Sequence, residues 1–384
     1  MLMRNLVIGI LLLVAPSLQA EPMFERVTVA SVGQYPDIDR LADGRLMCVY
    51  CASLESKQVI MISDSEDHGR TWRKPVTLID SRPGIDYDPK IIVIGTRVIV
   101  VSIVCPPNHG PLISTSRLVA VRSEDNGRTW SEPYEIETGH RYSVGTVNPG
   151  IVLRDGTVVF SYSWDQKLET GVDLKREGDM QLCGATLLSK DDGHTWTSGG
   201  DLIPAFTKAP DRPRAVSGIV EPAIVECSDG SIYRLERTGL MKLYESRSTD
   251  GGRTWSQLAP SPLTAHNSPA SLCRFRGDKP GIMVTWNNTA TPRRWPLCAA
   301  VSFDDARTWS PPKKLTHEAF QQSYPGCVQA NDGSLVTVWS SSRPGEPRSV
   351  QGARFNLEWL MQKGSPSEVI PESVSYTHLR AHET

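Results

Sequence analysis

An eight-residue pattern recurs five times along this chain of 384 residues, and it restricts the possible folds more than any other feature. The copies are SEDHGRTW from Ser65, SEDNGRTW from Ser123, SKDDGHTW from Ser189, STDGGRTW from Ser248 and SFDDARTW from Ser302. Subtracting the starting numbers gives intervals of 58, 66, 59 and 54 residues. A repeat of this length is a supersecondary unit that cannot bury its own faces, so several copies must pack side by side.

The residues of the octet are typical of a tight turn between two strands. Its Asp can accept hydrogen bonds from backbone N–H groups that follow it, and its Gly can adopt a positive φ. We expect Thr and Trp to begin the next strand, with the Trp ring packed into the unit. The fifth copy has Ala306 in place of Gly, which predicts a strained or altered turn.

A second pattern alternates with the octet: Pro, a short apolar run, a Gly-containing turn and another apolar run. The residue before Pro is, in the six copies, Tyr35, Asp88, Asn148, Glu221, Ser268 and Tyr324. Each unit therefore has two hairpins and four short antiparallel strands. Six such units predict an all-β fold, a six-bladed β-propeller over residues 21–360. A β-sandwich would not explain the period, and we expect Phe24–Ala30 to complete the sixth blade.

The two ends of the chain have a different composition from the repeats. Residues 1–20 combine one Arg, an apolar run and a small residue at Ala20, the pattern of a cleaved secretory signal peptide. We therefore expect a secreted or periplasmic protein without membrane insertion after cleavage. Residues 361–384 have little apolar periodicity and are expected to be a disordered or foreign tail. The net charge of −2 makes nucleic acid an improbable partner, and we expect a monomer.

Eight cysteines are scattered through the repeats, and only Cys48 and Cys51 lie close together in sequence. No His neighbours that pair as in a zinc site, and phosphate-binding glycine motifs are absent. We expect buried free thiols with at most one disulfide bridge, and no metal or other cofactor.

The six residues before Pro are all polar, and this predicts a ligand site. If the Pro-containing strands are the innermost of each blade, these side chains converge at one mouth of the central channel. The alternative is that Pro simply follows polar loop residues.

The octets resemble the Asp-boxes, or bacterial neuraminidase repeats, of the sialidase superfamily, and the resemblance spans Tyr35 to Trp359. It implies a glycan substrate, a nucleophilic tyrosine at Tyr324 and a partner carboxylate at Glu221. It also implies that Arg237 and Arg294, the latter with Arg293 as a rival, bind the substrate carboxylate. By register, Asp88 is the candidate acid, with Asp37 behind it, and Tyr35, Asp37 and Asn148 are expected to bind substrate.

The chemistry is consistent with these roles. A sialoside has a carboxylate at its reacting carbon, which would repel a carboxylate nucleophile but not a neutral phenol. The phenol has an unperturbed pKa of about 10 and needs a neighbouring base. Sialidases are an exception to the usual pair of carboxylates in glycosidases. Retention of configuration through a glycosyl-tyrosine is therefore expected.

Two departures from the family pattern leave alternatives open. Gln34 stands where the first blade normally supplies an Arg, and Arg141 or Arg40 is a candidate replacement. The loop before the first Asp-box offers only Glu55 as an acid. The alternatives are a non-catalytic carbohydrate-binding propeller, and a hydrolase or lyase of another acidic polysaccharide.

Overall fold

Short antiparallel strands account for nearly all of the regular secondary structure in the part of the chain that the structure, a computed structural model, describes. The described residues are 21–55, 57–105, 116–141, 143–144, 150–171, 180–207 and 216–362. The expected signal peptide (1–20) and all but the first two residues of the expected tail lie outside them. In the described part, no helix has the length and apolar character needed to cross a membrane.

The strands form six sheets, here called blades 1 to 6. Strand β1 (Phe24–Ala30) precedes them. Blade 1 contains β2 (Gln34–Arg40), β3 (Leu46–Leu54), β4 (Lys57–Ser65) and β5 (Val76–Ile79). Blade 2 contains β6 (Ile85–Ile94), β7 (Arg97–Cys105), β8 (Arg117–Ser123) and β9 (Tyr134–Ile136). Blade 3 contains β10 (Ser143–Val144), β11 (Gly150–Val152), β12 (Val158–Asp165), the helical turn α1 (Gln166–Glu169), β13 (Leu182–Ser189) and β14 (Thr197–Leu202).

The second half of the chain continues in the same way. Blade 4 contains β15 (Ile219–Glu226), β16 (Ile232–Thr238), β17 (Lys242–Ser248) and β18 (Ala259–Thr264). Blade 5 contains β19 (Ala270–Phe275), β20 (Gly281–Asn287), β21 (Leu297–Ser302) and β22 (Lys313–Lys314). Blade 6 contains β23 (Gln321–Gln329), β24 (Leu335–Ser342) and β25 (Ser349–Phe355), followed by α2 (Leu357–Met361). In blade 3, both β10 and β11 pair with β12.

The ring closes through the N-terminal strand. β1 pairs antiparallel with β25, so that Phe24 lies opposite Phe355 and Val27 opposite Gly352. The order of the sixth sheet is β1-β25-β24-β23. The predicted role of Phe24–Ala30 is therefore confirmed, and with it the six-bladed propeller.

The first strand of each blade lies next to the channel, because these strands pack on one another around the ring. β2 contacts β6 and β23, and β15 contacts β19 and β11. The hydrophobic core is divided among the six blade interfaces. Between blades 4 and 5, for example, Tyr233 and Leu235 pack with Val284 and Trp286. Burying one such side chain contributes about 1.5–3 kcal/mol, so the interfaces hold the ring together.

Each octet connects the third and fourth strands of a blade, as predicted. In the second copy the Ser123 hydroxyl accepts from the Gly127 N–H at 2.8 Å, while Asp125 accepts from the Thr129 N–H and hydroxyl at 2.8 and 2.7 Å. The Trp130 ring packs against the interface of blades 1 and 2.

The prediction that Thr and Trp begin the next strand is wrong for all five copies. In blade 1, for instance, the fourth strand begins at Val76, beyond Trp72, because the Asp-centred hydrogen bonds hold Thr in the turn. Ala306 retains the turn of the fifth octet at φ 62°, with its N–H bound to the Ser302 hydroxyl. This is the strained geometry that the substitution predicts.

Candidate functional site

Four residues that precede Pro share an unusual backbone conformation at one mouth of the channel. Tyr35, Asp88, Glu221 and Tyr324 have φ values of 54°, 55°, 56° and 56°. Each lies at a register shift in the first strand of its blade, which is the mark of a β-bulge. Non-Gly residues in this region cost about 1–3 kcal/mol each and cluster at functional sites. Their repetition indicates that the fold holds these side chains in a particular direction.

The preceding blade holds three of these bulges in place. In each case, the second strand of that blade provides the acceptor for the N–H group of the bulged residue. The pairs are Tyr35 with Ser340 Oγ at 2.6 Å, Asp88 with Cys51 Sγ at 3.2 Å, and Glu221 with Ser163 Oγ at 3.2 Å. The mouth is thus assembled by the blade interfaces and not by loops alone.

Blade 5 departs from the register predicted by its Pro. Ser268 is fully buried, and the left-handed position is taken by Asn267, with φ 49°. Asn148, the corresponding residue of blade 3, lies outside the described residues.

Glu221 and Arg237 form an ion pair within blade 4. The distance from Arg237 Nη1 to Glu221 Oε2 is 2.7 Å, and both side chains are about nine-tenths buried. Arg237 Nε also donates to Asn267 Oδ1 at 3.0 Å. Arg237 therefore connects blade 4 to blade 5.

Tyr324 lies between an arginine and a second tyrosine. The Arg294 guanidinium is 4.9 Å from the centre of the Tyr324 ring, within the range of a cation–π contact. Tyr35 meets the same ring edge-on, with ring centres 4.6 Å apart. Arg293 instead stacks on Trp295 at 5.1 Å. Of the two rival arginines, Arg294 faces the phenol.

Tyr324 and Glu221 belong to one network but do not contact each other directly. In the part of the chain that is described, no hydrogen bond joins their side chains. The connection runs from Glu221 through Arg237 to Asn267, whose backbone carbonyl accepts from Arg294 Nη2 at 3.1 Å. Arg294 then covers the Tyr324 ring.

A buried charge cluster lies beneath Asp88. Lys90 Nζ is 3.2 Å from Asp88 Oδ1, and both residues, with Asp37, are at most 5% exposed. Asp37 Oδ2 accepts the Ile91 N–H at 3.1 Å, so Asp37 braces blades 1 and 2 below the mouth. Burial raises the pKa of Asp37, and Lys90 opposes that rise. Burial alone would lower the pKa of Lys90, but the carboxylates of Asp88 and Asp37 raise it above its usual value.

An arginine of blade 6 lies beside Gln34 in blade 1. Arg348, which precedes β25, donates to Gln34 Oε1 and lies close enough to Tyr35 to act on its charge. Burial, followed by the neighbouring Tyr324, nevertheless raises the pKa of Tyr35 to about 12. Tyr35 therefore remains a neutral phenol at the mouth.

Of Arg40 and Arg141, the two candidate replacements for the arginine expected at position 34, Arg40 lies away from the mouth. Arg40 is at the opposite end of β2 from Tyr35 and lines the other end of the channel. Arg141 is held by Glu169 and the Leu168 carbonyl at α1. The expectation that Arg40 replaces the missing arginine is wrong, because about five residues of extended strand, roughly 16 Å, separate Arg40 from the mouth.

Three residues of the site were missed in the sequence. Lys90 had a signal, since a single Lys inside the apolar strand IDYDPKIIVI indicates a buried cation with acidic partners. Asn267 lies one residue before the position expected from Pro269. Arg348 had no local signal, because it reaches the mouth only through ring closure. Across the described ranges, no three His, Cys, Asp or Glu side chains are arranged to hold a metal ion.

Comparison with known families and proteins gives a consistent assignment. Residues 93–337 match the model of the BNR repeat-like domain family. A sialidase of Paraclostridium sordellii is 27% identical over 255 residues, which are 59% of this chain and 57% of that protein. A sialidase of Bacteroides fragilis is 24% identical over 335 residues, 77% of this chain and again 57% of the relative. The matched regions therefore span little more than half the length of these curated relatives.

Solved structures share the fold. A protein of unknown function from Dyadobacter fermentans superposes with a TM-score of 0.68 and 14% identity, over 86% of this chain and 98% of that one. The Trypanosoma rangeli sialidase in complex with sialic acid superposes with a TM-score of 0.68 and 17% identity, over 87% and 59% of the two chains. At such identities the similarity establishes the propeller alone.

Proposed function

Because the chain belongs to the BNR repeat-like domain family, we propose that it is a secreted glycoside hydrolase of the exo-sialidase type. Its substrate is a glycan ending in sialic acid or a related acidic sugar. The observation that carries this proposal is the arrangement at the mouth. A half-buried phenol, Tyr324, lies under one guanidinium and in a network with a second guanidinium and a buried carboxylate.

In this mechanism the cations at the mouth bind the carboxylate of the sugar. Arg294 presents a guanidinium over Tyr324, and Arg237 presents another beside Glu221. Guanidinium groups bind carboxylates through paired hydrogen bonds. Arg348 adds a third positive charge near Tyr35, where the family pattern has an arginine. A substrate carboxylate that binds Arg237 competes with Glu221 for hydrogen bonds from the same guanidinium. One oxygen of Glu221 is then free to accept a proton.

Tyr324 is the proposed nucleophile. As its oxygen bonds to the anomeric carbon, its proton passes to Glu221, which substrate binding brings within hydrogen-bond reach, and the bond to the leaving oxygen breaks. The leaving oxygen takes a proton from Asp88. Asp88 then removes a proton from the water that attacks the glycosyl-tyrosine, and the departing Tyr324 oxygen takes its proton back from Glu221. The two displacements together retain the anomeric configuration.

The test uses an aryl α-sialoside as substrate and two conservative variants. Tyr324→Phe and Glu221→Gln are each expected to lower kcat at least about 100-fold, the lower end of what a proton-transfer or nucleophilic group contributes. Tyr50→Phe is the matched control, because its buried hydroxyl has no hydrogen-bond partner in the described structure. Proton NMR of the first product formed should show retention. Wild-type turnover by Tyr324→Phe would exclude it as the nucleophile.

A second candidate function is a non-catalytic carbohydrate-binding propeller. Gln34 in place of the family arginine favours it, as does the direct neutralisation of Glu221 by Arg237. Binding on a glycan array without release of sugar from sialylated, uronic or sulfated glycans would support this candidate. Release of a uronic or sulfated sugar instead would identify a hydrolase or lyase of another acidic polysaccharide.

Arg348 allows a separate test of the carboxylate site. Arg348→Met is expected to raise KM for an acidic glycoside several-fold while kcat changes little, since the residue contacts Gln34 and lies beside Tyr35. Arg343→Met is the control, because Arg343 pairs with Glu346 on the surface. Equal KM values for the two variants would show that Arg348 does not contribute to binding the substrate carboxylate.

A further inference from the structure

The central channel widens at the end opposite Tyr324 into a cavity of about 700 Å³. The first strands of several blades line it, and two of them present a cysteine each. Cys273 is on β19 in blade 5, and Cys327 is on β23 in blade 6. β19 and β23 pack against each other, so both thiols face the cavity from neighbouring strands.

The side chain of Cys327 lies against the strand that carries Cys273. Cys327 Sγ lies 3.3 Å from Ser271 Oγ. Ser271 and Cys273 are two residues apart on β19 and therefore share one face of that strand. The neighbouring Cys327 thiol, followed by burial, raises the pKa of Cys273. Cys327 is thus held against the face of β19 that carries Cys273.

The pair that is close in sequence cannot do the same. Cys48 and Cys51 are three residues apart on β3, so their side chains point to opposite faces of the sheet. Cys48 packs in the interface of blades 6 and 1, and Cys51 in the interface of blades 1 and 2. A disulfide between them could form only if β3 were rearranged, because the two side chains lie on opposite faces of the sheet.

We propose that Cys273 and Cys327 are a disulfide-forming site that cross-links blades 5 and 6 inside the channel. The oxidant is a small-molecule disulfide that enters the open cavity. One thiolate attacks it, forming a mixed disulfide and releasing one thiol. The second thiolate then attacks the mixed disulfide, the protein disulfide forms, and a second thiol leaves. The protons and electrons of both cysteines end on the two released thiols. The export expected from residues 1–20 would place the pair in a compartment that favours this oxidation.

The cross-link has a consequence for the mouth. Tyr324 lies three residues before Cys327, and Asn267 lies six residues before Cys273. Bridging the two strands therefore fixes the spacing between the phenol of blade 6 and the Asn267–Arg294 contact of blade 5. It also closes a long loop of chain, which restricts the unfolded state.

The experiment is a peptide map of the full chain after treatment with millimolar oxidised glutathione. Remaining thiols are alkylated before digestion, and mass spectrometry identifies cross-linked peptides. We expect one peptide that joins Cys273 to Cys327 and separates on reduction. It should be absent from Cys273→Ser and present in Cys183→Ser, a control whose thiol hydrogen-bonds to the Gln181 carbonyl.

Thermal melting gives a second measurement. Oxidation is expected to raise the melting temperature of the wild type and of Cys183→Ser by several degrees, and to leave Cys273→Ser unchanged. Alkylation of both thiols after oxidation, or glutathione retained on Cys273 as a mixed disulfide, would overturn the proposal. If Cys273→Ser does not fold, the wild-type peptide map alone still shows whether Cys273 and Cys327 are joined.

Discussion

Replacing Lys90 by Met should strongly destabilise the propeller, although Met fits the same space. The ammonium of Lys90 is 1% exposed and lies 3.2 Å from the Asp88 carboxylate, with Asp37 on its other side. Two unit charges at that distance attract each other by about 5 kcal/mol at an effective dielectric constant of 20. Removing one member of a buried pair typically costs about 3–5 kcal/mol, because the remaining charge has no partner. We expect a loss of that size at pH 7.

The assay is guanidinium chloride unfolding followed by tryptophan fluorescence. The double variant Lys90→Met/Asp88→Asn should recover about 2–3 kcal/mol relative to Lys90→Met, since a neutral amide then replaces the carboxylate that lost the Lys90 ammonium. Lys74→Met, an exposed control, should stay within about 0.5 kcal/mol of the wild type. A loss below about 1 kcal/mol for Lys90→Met, or no recovery in the double variant, would refute the view that this ammonium neutralises the cluster.

The pH dependence of the same variant has a defined sign. The pKa of Asp37 in the folded protein is raised above its unfolded value, so its contribution to stability is complete below about pH 4 and lost as pH rises through the folded pKa. Without Lys90 that pKa rises further. The deficit of Lys90→Met should therefore be smaller at pH 4 than at pH 7.

Two further predictions concern the octets. Gly127 has φ 78°, and a methyl group added there would lie 2.6 Å from Met47 Cε, so Gly127→Ala should cost more than the roughly 1–2 kcal/mol of the backbone strain alone. Gly156→Ala is the control, because Gly156 has φ 85° and open space around it, so that its denaturant midpoint reports the backbone strain alone. Equal denaturant midpoints for the two variants would contradict the packing argument. Hydrogen bonds from the Thr254 hydroxyl and N–H lower the pKa of Asp250 to about 2. The stabilisation that the ionised Asp250 provides is therefore present above pH 4 and lost as pH falls towards 2. In thermal melting across that range, the melting temperature of Asp250→Asn should fall less than that of the wild type.

The architecture was predictable because its signals are local and repeated. Each octet specifies its own turn through one Ser, one Asp and one Thr, and the six Pro-containing units determine the number of blades. Ring closure by Phe24–Ala30 was predictable because the sixth Pro-containing unit has no octet and therefore lacks a fourth strand of its own. The alternation of Pro with short apolar runs located the first strands.

The site was less predictable, because its side chains come together only across blade interfaces. The polar residues before Pro identified Tyr324 and Glu221, but the network between them depends on the backbone carbonyl of Asn267, which no residue pattern marks. The choice between Arg293 and Arg294 depends on side-chain direction at adjacent positions. Arg348 reaches Gln34 from more than 300 residues away in sequence, so no local motif could indicate it.

The pairing of β1 with β25 has a consequence for the order of folding. The strand that begins the propeller has no partner until Ser349–Phe355 has been synthesised, so every shorter nascent chain has an open ring with an unpaired edge. The interface of blades 6 and 1 includes Val350 of β25 and is complete only after that point. Because Tyr324 and the Ser340 hydroxyl that holds Tyr35 both belong to blade 6, the phenol pair at the mouth is among the last features to assemble. A chain cut before β23 has five complete blades but no Tyr35–Tyr324 pair in place.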